Sequence, residues 1–360
     1  MGRGFVITNP MIAENRSAEV TLSKLLRVLA PSHEELSVIG GNLTVESDVP
    51  PVILHSFPIS RAANKLRRMA DVFFLQWKMA GCVLKQIDRS EAVYFWLGDK
   101  MLLPYLAAKW KGANIHYFLY GNVEKEENAG LFLKLSGKLI RFMAQHAQYV
   151  CVESPSVLTG WEGLRPKGQK VIHLYTEKIA MNPIENRENV VGMLCRLATS
   201  KRVLESMEAF SQIHESYPDW RLEIIGSGKL EGQCREKIAQ LNAENYIILH
   251  GWVEHSRVSE ITQKWKLLLF PTDYEGLPNG LIEMMGQGIP ALASPVGGIL
   301  DIIVPGENGW FLEDNSVKGI EAGLRKAVAD DSRIAENAYH TIAKTFTFAA
   351  AQEQAAAVVE

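Results

Sequence analysis

Two carboxylates, Glu275 and Glu283, stand with seven residues between them in the run from Phe270 to Glu283. The apolar stretch Leu267 to Phe270 ends at Pro271, which reads as a strand giving way to a loop. Gly276, Pro278 and Gly280 punctuate that loop, and a helical pattern begins at Leu281 and runs to Gln287. Glycines let backbone amides approach a ligand closely. The first turn of a helix offers unpaired N–H groups and a partial positive charge, which suits a diphosphate. Glu283, about one turn into the helix, is placed to accept hydrogen bonds from ribose hydroxyls; Glu275, before the loop, is placed to face a sugar ring. The ligand-binding candidates here are Glu283 with Gly276, Leu277, Pro278, Asn279, Gly280 and Leu281. A carboxylate pair alone also arises by chance on a helix edge.

Two cations, Arg196 and Lys201, follow the strand pattern Val190 to Leu194. Just past a strand end they can neutralise a leaving diphosphate; without that context they are solvated surface charges. Ile225 is followed by Gly226 and Gly228. This is not a phosphate-binding P-loop, because Leu230 and Glu223 stand where Ser or Thr and Gly are required. Nor does it complete a G-x-G-x-x-G, because residue 231 is glutamate. Trp252, just past the strand Tyr246 to Leu249, is a stacking platform for a base or a packing residue.

The first half is less explicit. Asn15, Arg16 and Ser17 follow the first strand and can donate to a phosphate or face solvent. Tyr120 and Gly121 end the strand pattern Ile115 to Leu119, with Tyr120 a candidate donor to a sugar hydroxyl. His116 lies an even number of residues away and reads as a satisfied strand histidine. No H-E-x-x-H, G-x-S-x-G or Asp-x-Asp spacing occurs, so neither a metal nor a cofactor is expected.

The elements that must carry these residues alternate. Short apolar runs and longer helical patterns succeed one another from Gly4 to Val152 and again from Val190 to Ala293. That is the signature of parallel sheets with helices on both faces. A length of 360 residues exceeds what one core usually serves, so two doubly wound α/β domains are expected. The polar stretch Met181 to Asn189 is the expected linker. Ligands of such sheets bind beyond the carboxyl ends of the strands, and two domains that face each other would enclose one in a cleft. A net charge of -3 excludes a dedicated nucleic-acid binder. Cys82, Cys151, Cys195 and Cys234 are too scattered for a zinc site or disulfide framework. With no signal peptide or membrane span in the sequence, a cytoplasmic location is expected. The basic, aromatic helix within 61–89, holding Phe73, Phe74 and Trp77, adds a peripheral contact with the anionic inner face of the cell membrane, against the plainer reading of a solvated face.

Glu275 and Glu283 match the E-x7-E motif of retaining GT-B glycosyltransferases, and their flanks resemble the large GT4 family. The runs 286–294, 296–303 and 305–312 resemble the family's following segments. Arg196 and Lys201 sit on the matching positions of its Gly-Arg-Leu-x-x-x-Lys element, with Cys195 in place of the glycine. A His-Gly pair is usual where this chain has Tyr120 and Gly121. The resemblance implies two Rossmann-like domains facing a central cleft: 1–180 for the acceptor, 181–340 for the nucleotide sugar, and a helix in 341–360 crossing back. It further implies a hexosyltransferase-type enzyme that moves a sugar, with retention and without metal, from a nucleoside-diphosphate sugar such as a UDP-sugar to a glycan or lipid-linked acceptor. Glu275, Arg196 and Lys201 would be the catalytic residues, and Glu283, Gly226, Gly228, Trp252 and residues 276–281 would hold the donor. A non-catalytic sugar-nucleotide-binding protein, or an epimerase on the same fold, is the alternative.

Overall fold

The computed structural model describes residues 2–11, 16–59, 64–97, 101–120, 131–177, 179–182, 184–329 and 333–359. The chain forms two compact units, one of Met1–Tyr175 with Phe348–Glu360 and one of Thr176–Thr347.

The first unit contains β1 (Arg3–Thr8), α1 (Arg16–Leu29), β2 (Glu35–Gly41), β3 (Ile53–Phe57), α2 (Lys65–Gln86), β4 (Ala92–Trp96) and α3 (Leu102–Lys111). It continues with β5 (Asn114–Leu119), α4 (Leu131–His146), β6 (Tyr149–Val152) and β7 (Gln169–Val171). The strands pair in parallel in the order β3-β2-β1-β4-β5-β6-β7. Successive strand residues face opposite sides of a sheet, so strands covered on both faces must be apolar throughout. Phe5, Ile7, Phe95 and Tyr117 pack under α2, α3 and α4. Their neighbours Val6, Tyr94, Trp96 and Phe118 pack on the other face with α1 and the C-terminal helix.

The second unit contains β8 (Val190–Leu194), α5 (Val203–His214), β9 (Arg221–Ile225), α6 (Glu231–Gln240), β10 (Ile247–Gly251) and α7 (His255–Thr262). Then follow β11 (Leu267–Phe270), α8 (Asn279–Met285), β12 (Ala291–Ala293), β13 (Gly309–Phe311), α9 (Val317–Val328) and α10 (Arg333–Thr345). The sheet order is β10-β9-β8-β11-β12-β13. The order reverses between β8 and β11, which is the switch point where doubly wound sheets bind ligands. Both units are therefore Rossmann-like, as the alternation predicts. The last helix, α11 (Phe348–Val359), belongs to the first unit, where Ala351, Ala355 and Val358 are buried with α1.

The polar segment expected as a linker is instead packed into the second unit. Arg187 is buried and donates to the carbonyls of Gly288, Asn182 and Gln287 at 2.6, 2.8 and 2.9 Å. Gln287 and Gly288 lie in the turn just past the end of α8, and Asn182 lies in the polar segment itself, so the guanidinium ties the segment to that turn. Burial lowers the Arg187 pKa to about 10, still far above neutrality. Polar composition was a poor guide here because one guanidinium fork satisfies several carbonyls at once. Removing the fork strands them. Arg187→Ala is expected to cost about 3 kcal/mol, a fall of roughly 10 °C in the thermal midpoint. An unchanged midpoint would show that water replaces the guanidinium without loss.

Candidate functional site

The residues singled out in the second unit rise from neighbouring strand ends. Arg196 follows β8, Gly226 and Gly228 follow β9, Trp252 follows β10, and Glu275 follows β11. Parallel strands bring these carboxyl ends to one edge of the sheet.

Gly226 and Gly228 serve backbone contact. Cys195 N–H donates to the Ile225 carbonyl at 3.1 Å, and Leu197 N–H to the Ser227 carbonyl at 3.0 Å. A Cβ on Gly226 would lie 1.8 Å from the Cys195 carbonyl oxygen, and one on Gly228 2.3 Å from that of Leu197. Any side chain at either position would push the Arg196 loop outward. Gly226 N–H also donates to the Gly251 carbonyl at 2.8 Å, which ties in the turn before Trp252. The Cys195 side chain packs against the unit's core, where burial pushes its thiol up to about 12. It acts as a small apolar group at this position.

The Glu275 loop is clamped in the same way. Gly298 N–H donates to the Gly276 carbonyl at 2.8 Å. Gly297 has φ +52°, and a Cβ on it would lie 2.0 Å from the Glu275 carbonyl oxygen. The loop base is fastened by side chains: Thr272 N–H donates to Ser294 Oγ, Ser294 Oγ donates to Asn315 Oδ1, and Asn315 Nδ2 donates to the Thr272 carbonyl. Arg202, in the left-handed region at φ +46°, donates to Asp273 at 2.7 Å. Thr272, Asp273, Ser294, Asn315 and Arg202 escaped sequence reading because hydroxyls, amides and surface charges are common in loops.

Lys201 and Glu275 meet. The Lys201 ammonium pairs with Glu275 Oε1, donates to Thr272 Oγ1 at 3.2 Å and lies 5.1 Å from the centroid of the Phe270 ring. Both side chains are largely shielded. Arg196, by contrast, is exposed and pairs with no described residue. Glu283 and Leu281 are buried within α8, and Leu277 is buried just before it. Pro278 caps α8 without a side-chain bond, and Asn279 is exposed. Trp252 is 73% exposed, so its packing reading fails in the free protein.

In the first unit, Tyr120 is half-buried and its hydroxyl bonds nothing among the described residues. Burial, with Glu153 and Cys151 nearby, raises its pKa well above that of free tyrosine. His116 is buried between Tyr94 and Tyr149, and burial pushes it down to about 4; it is a core histidine, as its pattern predicts, but not a satisfied one, since its Nδ1 is buried with no hydrogen-bond partner among the described residues. Asn15 and Gly121 lie outside the described residues, as do the side chains of Arg16 and Ser17 at the start of α1. Among the described residues, no group of three or more His, Cys, Asp or Glu side chains could hold a metal ion.

Residues 175–343 match the family model of the glycosyl transferases group 1. The lipopolysaccharide 1,6-galactosyltransferase of Escherichia coli K12 is 27% identical over 176 residues, 44% of this chain and 48% of that protein. The UDP-N-acetylglucosamine–peptide N-acetylglucosaminyltransferase GtfA subunit of Streptococcus pneumoniae is 31% identical over 135 residues, 37% of this chain and 26% of that one. The chain thus spans half or less of the length of these curated relatives. The fold extends further: Anabaena HepE, crystallised with UDP and glucose, superposes with a TM-score of 0.76 over 98% of both chains at 16% identity. The lipopolysaccharide outer core galactosyltransferase WaaB does so with a TM-score of 0.72 over 98% of both at 18% identity.

The glycine clamps are testable. Gly297→Ala is expected to lower stability by about 2 kcal/mol, since a side chain is forced against backbone in a strained conformation. Gly232→Ala, inside α6 with no atom within 4 Å of the new Cβ, should instead stabilise by roughly 0.5–1 kcal/mol. Equal midpoints for the two variants in thermal unfolding would refute the clamp.

Proposed function

We propose that this chain, whose fold is GT-B and whose residues 175–343 carry a glycosyl transferases group 1 domain, transfers a sugar from a UDP-sugar to a glycan or lipid-linked acceptor. What supports the reading is the joint presence of the Lys201–Glu275 pair and the exposed Arg196 at the switch point of the second sheet. A likeness to a protein crystallised with UDP and with UDP-glucose favours uracil as the base. The galactosyltransferase relative and a colanic acid glycosyltransferase relative favour a surface polysaccharide or its lipid-linked precursor as acceptor.

In this reading the bond between the sugar's anomeric carbon and the diphosphate breaks, and a bond from an acceptor hydroxyl oxygen forms on the same face. The acceptor proton passes to a leaving phosphate oxygen. The sugar passes through an oxocarbenium-like state while the diphosphate gains charge. Arg196 and Lys201 meet that charge; preorganised cations stabilise a transition state because they need not reorient during the step. Glu275 shares Lys201 and turns its second oxygen to the donor sugar's hydroxyls, which fixes the sugar's orientation. Glu283 accepts from the ribose. In this reading Arg196 and Lys201 supply the diphosphate's counter-charge in place of a metal.

Two experiments test this. In thermal-shift titrations with UDP, GDP, ADP and CMP, UDP is expected to raise the midpoint with or without EDTA, and Glu283→Ala to weaken that shift. A shift that requires divalent metal refutes metal independence. No shift with any nucleotide, in a protein that unfolds cooperatively, refutes the donor site. Arg196→Ala is expected to lower turnover with the matching UDP-sugar by about 10²–10³-fold while leaving the midpoint within a few degrees. A collapse of the midpoint would make Arg196 structural.

A further inference from the structure

The charge of this chain is unevenly placed. α2 carries Lys65, Arg67, Arg68, Lys78 and Lys85 against Asp71 alone. α3 adds Lys109 and Lys111, and α4 adds Lys134, Lys138 and Arg141, with no acidic residue in either. The three helices thus hold 10 of the chain's 38 Lys and Arg but 1 of its 41 Asp and Glu. Everything outside them is acidic on balance, with 28 cations against 40 carboxylates.

These helices share one face of the first unit. Leu75, Met79, Tyr105, Ile140 and Met143 turn inward to a common core against the sheet. Gln76 on α2 accepts from the Leu103 backbone N–H at 3.1 Å, and Lys111 on α3 donates to the Leu84 carbonyl at 3.3 Å, so α2 and α3 run side by side in the same direction. The outward side is apolar as well as basic. Phe73, Phe74 and Trp77 are 51%, 63% and 59% exposed on α2, and Trp110 is 80% exposed on α3. Phe73 makes edge contacts with both Phe74 and Trp77, forming a cluster in the open. Leu135 and Phe142 continue the exposed apolar side chains on α4. Lys78 and Lys85 stand exposed among the α2 residues.

We propose that the α2–α3–α4 face binds the surface of an anionic lipid bilayer. A solvated helical face mixes both signs of charge and hides its aromatics. This one does neither. Aromatic rings favour the boundary between headgroups and acyl chains, while lysines beside them meet the anionic headgroups. A second copy of the chain is a poor occupant, because two such faces would oppose like charge. The proposal widens the basic helix seen in the sequence to a whole face. It does not depend on the transfer reading, since none of these side chains belongs to the candidate site.

The test is vesicle co-sedimentation of the full chain. The probes are vesicles of phosphatidylcholine alone and of equal parts phosphatidylcholine and phosphatidylglycerol. The wild type is expected to bind the mixed vesicles, to ignore the neutral ones and to be released by added salt. Each lost cation near such a surface weakens binding about fivefold, so Lys78→Gln/Lys85→Gln should weaken it about thirtyfold. Phe74→Ser/Trp77→Ser/Trp110→Ser should weaken it at least tenfold. Both variants should keep the wild-type thermal midpoint, because the changed side chains are exposed. Wild type that ignores both vesicle types, or binds both equally, overturns the proposal whatever the variants do. So does self-association in sedimentation velocity that the same substitutions abolish, which would assign the face to a second copy. UDP-induced stabilisation unchanged in both variants would keep this result separate from that of the donor site.

Discussion

Backbone meets backbone at two places in the second unit with no room for a side chain between, and the candidate site rests on those two contacts. Cys195 and Leu197 lie on Gly226 and Gly228. Glu275 and Gly276 lie on Gly297 and Gly298. Each contact joins loops from different strand ends, so the positions of Arg196 and Glu275 are set by main-chain atoms. Such positioning is stiff, because main-chain contacts do not change rotamer. It is also brittle, because a single methyl group is enough to pry the loops apart.

The electrostatics follow from that stiffness. Lys201 reaches Glu275 and Thr272 because the Thr272 loop is fastened below by Ser294 and Asn315. A partly shielded pair of this kind neutralises itself in the free protein, whereas Arg196 is exposed and pairs with no described residue. Lys201 is thus a charge already held in place, while the exposed Arg196 side chain is held by no described residue. The two cations therefore differ in freedom, although they sit only a few residues apart in the chain.

The first unit puts its weight elsewhere. Its central strands are sealed on both faces, and burial pushes the histidine among its tyrosines toward the neutral form, so the sheet itself offers little chemistry. What it offers is an outer surface whose sign opposes that of the rest of the chain. The apolar positions that fasten α2, α3 and α4 inward leave the outward positions free to vary. Those outward positions hold aromatics and lysines rather than the mixed charges of a passive surface.

Much of the fold was legible from the sequence. β8, α5, β9 and β11 begin and end where apolar periodicity changes, because a strand sealed on both faces needs an unbroken apolar run. The carboxylates, the cations and the glycines also stood out, since glycine at a strand end marks a backbone with a special task. Short β7 and β13 and the helices α7, α9 and α10 were not read, because three-residue strands and mixed helices carry too little pattern. Polar Met181 to Asn189 looked like a linker, yet Arg187 is buried there by bonds to residues a hundred positions away. Sequence by itself determined which residue types were available and which elements would carry them, because periodicity and turn chemistry are local. Tertiary structure alone decided that Lys201 pairs with Glu275, that Arg196 pairs with no described residue, and that Gly226 and Gly297 are wedged against other loops. Those are contacts between distant segments, and only the packed sheet brings the segments together.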